Sequence, residues 1–127
     1  MAFTVALDYD GTLFVNAFPL KGQPNQSVID KAKELKKYGA ELVLWTCREG
    51  NYLEDAVEHA KDHGLEFDAV NENSPSQKAY IQAIINRGDT PFGLRKINAD
   101  IFIDDKAPGS IDYFLGIDAE KTCRNFS

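Results

Sequence analysis

The chain has 127 residues, of which 43% are hydrophobic and 27% charged, with a formal net charge of −6. That length suits one domain over residues 1–127 with a real core, and is too short for two. No apolar run approaches the ~18–20 residues of a membrane span, no basic-then-apolar leader opens the chain, and the acidic balance argues against an extended nucleic-acid face.

Phe3 to Leu7 is a short apolar run that predicts a buried strand. It stops at Asp8 and Asp10, and Gly11 follows as a turn residue. On extended backbone, positions i and i+2 point the same way, so the two carboxylates share a side. Like charges that close either raise one pKa or need a cation between them. Phe14 to Gln26 holds Pro19, Gly22, Pro24 and Asn25 and reads as a loop. Its Phe14, Val15, Phe18 and Leu20 are too apolar for a plain linker and predict a flap folded back over the strand end.

Ser27 to Tyr38 predicts a helix with Val28, Ile29, Ala32 and Leu35 on its buried face, Lys31, Lys33, Lys36 and Lys37 outside, and Gly39 as its stop. Glu41 to Thr46 is the second strand; Leu42, Val43, Leu44 and Trp45 are continuously apolar, as in a strand covered on both faces. Asn51 with Glu54 marks the next helix start, and Leu53, Ala56, Val57 and Ala60 form its stripe up to Gly64. His59 and His63 stand at i, i+4 on it. They lack a third ligand and read as surface residues near a helix C-terminus.

Phe67 to Val70 is a third strand. Ser74-Pro75-Ser76-Gln77 then opens a helix, with Ser74 as cap, Pro75 at the first position and Gln77 closing the box. This helix runs to about Arg87 and is expected to bury Ala79 or Tyr80 with Ile81, Ile84 and Ile85. Ala99 to Ile103 is the fourth strand and ends on Asp104-Asp105. The last segment offers a strand or turn around Tyr113 to Leu115 and a helix from about Asp118. Cys47 and Cys123 are too few for a disulfide framework and suit a reducing cytoplasm.

Strands alternating with helices predict an α/β fold with a parallel sheet and helices on both faces. Ligands in such sheets bind at the carboxyl ends of the strands. Asp8 and Asp10, Thr46 and Arg48, and Asp104 and Asp105 all stand at those ends. That convergence of carboxylates calls for a hard cation, and oxygen-only ligands point to Mg2+. A carboxylate-bound metal with open coordination is the usual setting for phosphoryl chemistry.

Asp8-Tyr9-Asp10-Gly11-Thr12 resembles the first motif of the haloacid dehalogenase-type phosphatase superfamily. Thr46 matches its second motif, and Ile101-Phe102-Ile103-Asp104-Asp105 resembles its fourth, in the family's order over nearly the whole chain. The resemblance implies a three-layer, Rossmann-like parallel sheet. It implies Asp8 as nucleophile, Asp10 as general acid and then base, and Thr46 on the transferring phosphoryl. Mg2+ would be held by Asp8, the Asp10 backbone carbonyl and Asp104, with Asp105 alongside. Gly11, Thr12, Cys47 and Arg48 are candidate substrate contacts; for Arg48 the competing reading is a salt bridge with Glu49 or Asp55.

The family's third motif is a lysine, and Lys78 and Lys96 are the candidates. Lys96 precedes the last strand and so lies at its wrong end, about 10 Å or more from the site at ~3.3 Å per residue. Lys78, in the first turn of a helix that begins at the correct edge, is preferred. Neither Phe14–Gln26 nor Asn71–Asn98 has room for an independent cap domain, so a capless member is expected. An open site admits a large substrate or borrows a lid from a second copy in a homo-oligomer. The expected partner is a small phosphorylated substrate. A polynucleotide-end phosphatase, disfavoured by net charge, and a metal- and phosphate-binding module without useful turnover are the alternatives.

Overall fold

The computed structural model describes residues 2–90 and 97–126. Along the chain run β1 (Thr4–Leu7), α1 (Gln26–Lys37), β2 (Glu41–Leu44), α2 (Gly50–Asp62), β3 (Ala69–Val70), α3 (Pro75–Asn86), β4 (Ile101–Ile103), α4 (Ser110–Leu115) and α5 (Ala119–Arg124). The strands form one parallel sheet in the order β3-β2-β1-β4. The chain steps outward from β1 through β2 to β3, then returns to the far side of β1 for β4. The order therefore reverses between β1 and β4, which is where open α/β sheets place their ligands.

Alternation along the strands divides the side chains between two faces. Val5 and Leu7 of β1 and Leu42 and Leu44 of β2 join the main core. There they meet Val28, Ile29, Ala32 and Leu35 of α1, Ala56 and Ala60 of α2, Phe114 of α4, and Ala119 and Cys123 of α5. Ala6, Val43 and Ala69 form a smaller cluster on the opposite face, with Ile97 and Ala99 packed on it. The first turn of α3 is fastened to that second face: the Ser76 backbone N–H (3.2 Å) and its hydroxyl both donate to the Glu41 carboxylate.

Five expectations change here. No residue of α3 is buried, so the predicted Ile81, Ile84 and Ile85 stripe meets only partial cover. Trp45, read as part of a strand covered on both faces, is 45% exposed. Tyr113 to Leu115 lies in a helix, α4, rather than a strand or a turn. Helix α2 begins at Gly50, after Glu49, so Asn51 sits inside it instead of capping it. The lysines of α1 are not merely solvated: Lys31 Nζ donates to the Ile117 carbonyl and Lys36 Nζ to that of Glu66. No stretch of the described residues forms a separate cap, and no helix among them is long and apolar enough to cross a membrane.

Candidate active site

The ladder of the sheet continues one residue past the strands. Asp8 N–H donates to the Ile103 carbonyl (3.0 Å) and Trp45 N–H to the Leu7 carbonyl (2.8 Å). Leu7 is in register with Leu44 on one side and Ile103 on the other. Asp8 therefore stands level with Trp45 and with Asp104. One carboxylate oxygen from each of Asp8, Asp104 and Asp105 lies within 4.8 Å of the others. The ordinary outcome of that crowding is visible: burial first, and Asp104 second, push the Asp8 carboxyl up to about 6. Asp105 is also held above its usual range, by loss of water and by the neighbouring Asp104.

The backbone around the acids is tightly specified. Gly11 has φ +88°, and a Cβ there would run into the Asp105 carboxylate. Only glycine meets both demands at no cost. Thr12, expected to touch substrate, is instead fully buried, and its hydroxyl accepts from the Asp105 N–H at 3.0 Å. It fastens the loop after β1 to the end of β4. The Asn25 amide donates to the Thr12 carbonyl (3.1 Å), which joins the end of the flap to the same point. Ser110 exchanges hydrogen bonds with the Asp104 backbone, receiving from its N–H and donating to its carbonyl.

Thr46 is bracketed by Asn71, whose side-chain oxygen accepts from the Thr46 N–H (2.8 Å) and whose amide donates to the Thr46 carbonyl (3.0 Å). Its hydroxyl oxygen accepts from the Arg48 N–H at 3.1 Å. Arg48 is not free to meet a substrate, and Glu49 and Asp55 are not its hydrogen-bonding partners either. It is 3% exposed, and its guanidinium forks onto Asp10 with two bonds of 2.8 Å. The same group donates to the Leu20 carbonyl (2.9 Å) and lies between the Tyr9 ring (4.6 Å) and the Phe18 ring (5.1 Å). The expected flap over the strand end is thus present, held by a charge. The histidines also have structural work. His59 Nδ1 hydrogen-bonds the Tyr9 hydroxyl (2.7 Å), and its ring stacks on Phe14 at 4.2 Å.

Asp8, Trp45, Thr46, Cys47 and Asp104 line one cleft of about 220 Å³. The structure does not bring Lys78 into it: Lys78 Nζ pairs with Glu72 at 2.8 Å, and both side chains are more than half exposed. Lys96 lies outside the described residues. Asp10 faces the flap through Arg48, and its carboxylate is not part of the three-acid cluster.

A solved structure of a conserved protein coded by a locus of Bacteroides thetaiotaomicron is 30% identical to this chain, with a TM-score of 0.68. The match covers 100% of this chain and 93% of that one. The chain belongs to that protein's family. The family fold accordingly spans the sheet, the helices and every element that carries a site residue. A scan of protein-family models finds no match, and a search of curated proteins finds none.

Two contributors to this family member's site went unread in the sequence. Asn71 has φ +52°, a conformation that asparagine tolerates better than most residues. The polar Asn71-Glu72-Asn73 stretch was the available hint. Trp45 was absorbed into an apolar run, because hydropathy does not tell a buried indole from one that lines a cleft.

Proposed function

We propose that the protein is a Mg2+-dependent phosphomonoester hydrolase of the haloacid dehalogenase type, acting on a small phosphorylated substrate in the cytoplasm. One observation carries the reading: Asp8 and Asp104 end adjacent strands at the reversal of the sheet order, with carboxylate oxygens close enough to share an ion. A donor set made only of carboxylate and carbonyl oxygens fits Mg2+. Asp8, the Asp10 backbone carbonyl and Asp104 would hold it, with Asp105 beside them. Bound there, the ion supplies positive charge to the phosphoryl oxygens.

The chain's own groups have the following roles. An Asp8 oxygen attacks phosphorus, the bond from phosphorus to the leaving oxygen breaks, and that oxygen takes a proton from Asp10. Water then attacks the phosphorus of the aspartyl-phosphate and gives its proton to Asp10, releasing inorganic phosphate and restoring Asp8. The Thr46 hydroxyl donates to a phosphoryl oxygen as charge builds there. For its part, Asp10 has to turn out of the Arg48 fork to reach the leaving oxygen. Lys78 would have to leave Glu72 to add its charge.

A panel of phosphate esters assayed with Mg2+ tests this reading. Wild type is expected to release phosphate from some of them and Asp8→Asn to fall to background. Equal rates for the two proteins would refute it.

A further inference from the structure

The cleft beside Asp8 is too small to enclose a drug-sized ligand. At about 220 Å³ it falls below the roughly 300–1,000 Å³ of pockets that enclose drug-sized molecules. It has room for a phosphoryl group, and the remainder of a larger ester would emerge from the carboxyl edge of the sheet and be held by contact on one side. The side chain in position to make that contact is Trp45. It is level with Asp8 on the adjacent strand, and strands lie about 4.8 Å apart. Counting by twos from the Ala6, Val43 and Phe102 row puts Asp8, Trp45 and Asp104 on one face of the sheet. The indole thus stands beside the nucleophile, lines the same cleft and is 45% exposed.

We propose that Trp45 is a stacking platform for the leaving group, and that the preferred substrates are phosphate monoesters carrying a planar ring. This rests on the phosphatase reading above. An open, one-sided aromatic face favours a second flat π-system, because plane-on-plane contact removes the most apolar surface from water without an enclosing wall. A sugar or a short alkyl chain would leave most of the indole wet. The protein's net charge of −6 gives no general attraction for anions. Contact of this kind adds affinity that the protein's net charge does not supply. A nucleobase and a phenyl ring share the chemistry, and the two are separated by the test.

Trp45 is the single tryptophan of the chain, so tryptophan emission reports on it alone. Asp8→Asn protein with Mg2+ would be titrated with adenosine 5′-monophosphate, phenyl phosphate and ribose 5-phosphate. In parallel, kcat/KM would be measured on the same three esters for wild type, Trp45→Leu and Trp45→Phe. Saturable quenching by a ring-bearing ester and not by ribose 5-phosphate is expected. Trp45→Leu should lower kcat/KM for the ring-bearing ester about tenfold and leave ribose 5-phosphate within about twofold; Trp45→Phe should keep most of the preference. Which of the two ring-bearing esters responds assigns the ring to a nucleotide or to an aryl phosphate. Equal quenching by all three, or an equal loss on all three in Trp45→Leu, would overturn the proposal. If wild type hydrolyses no ester, the phosphatase reading fails by itself. Ring-selective quenching would then still support the platform, and its absence would overturn it.

Discussion

A guanidinium that is 3% exposed must have its donors answered, and Arg48 answers them with the Asp10 carboxylate and the Pro19 and Leu20 carbonyls. Removing the arginine leaves a partly buried Asp10 without its partner, a change that costs about 3 kcal/mol when a buried pair is broken. Arg48→Met is therefore expected to lower the urea midpoint and to speed tryptic cleavage after Lys21, in the flap. Arg48→Lys should recover only part of both, since an ammonium cannot fork. At Gly11, Gly11→Ala combines a left-handed φ with a clash against Asp105, and should cost about 1–3 kcal/mol. Thermal denaturation checks that loss. In the Asp-x-Asp-Gly-Thr stretch the strand end at Asp8 and the turn at Gly11 were legible. The shared side expected of Asp8 and Asp10 was not found, because the chain turns at Tyr9 and Asp10 pairs with Arg48. The partner of Arg48 was not legible: nearer acidic residues in the sequence, Glu49 and Asp55, compete with an Asp10 that lies 38 residues distant.

At the scale of elements, α3 shows what a helical period does and does not tell. Ser74 caps it as its sequence predicts, accepting from the Gln77 N–H at 3.3 Å, and Pro75 opens it. Ser74→Ala should cost about 1 kcal/mol of unfolding free energy, read from a shift of the denaturant midpoint at unchanged slope. The isoleucines gave the correct helix but the wrong burial, because periodicity fixes which side chains share a face and not what lies opposite. For the strands, each apolar run breaks into polar residues at its carboxyl end, so the edge that gathers the acids was readable. The exposure of Trp45 was not, since it depends on how far the neighbouring helices reach over that edge.

Across the whole molecule, an all-acidic centre ties stability to pH and, on the proposed metal site, to divalent ions. The Asp8 carboxyl is raised from 3.8 to about 6. In the metal-free protein its contribution to stability is fully present below pH 3.8 and is lost as pH rises through about 6, where the crowded carboxylate ionises. A cation that binds the ionised form relieves the crowding. Addition of Mg2+ should thus raise Tm more at pH 7.5 than at pH 5, and a chelator should reverse it. Melts with equal shifts at both pH values would contradict the shared-ion arrangement.

Thr12, enclosed on every side, is the rivet of this design. Its hydroxyl joins the tip of the first strand to that of the last, and its carbonyl receives the start of the first helix through Asn25. The Asp104-Asp105 end of β4 and the loop after Asp8 rest on that inner frame, while Trp45 stands at the rim of the cleft, 45% exposed. Substitution at Trp45 can therefore rewrite what the protein recognises and leave Asp8 and Asp104 where they stand.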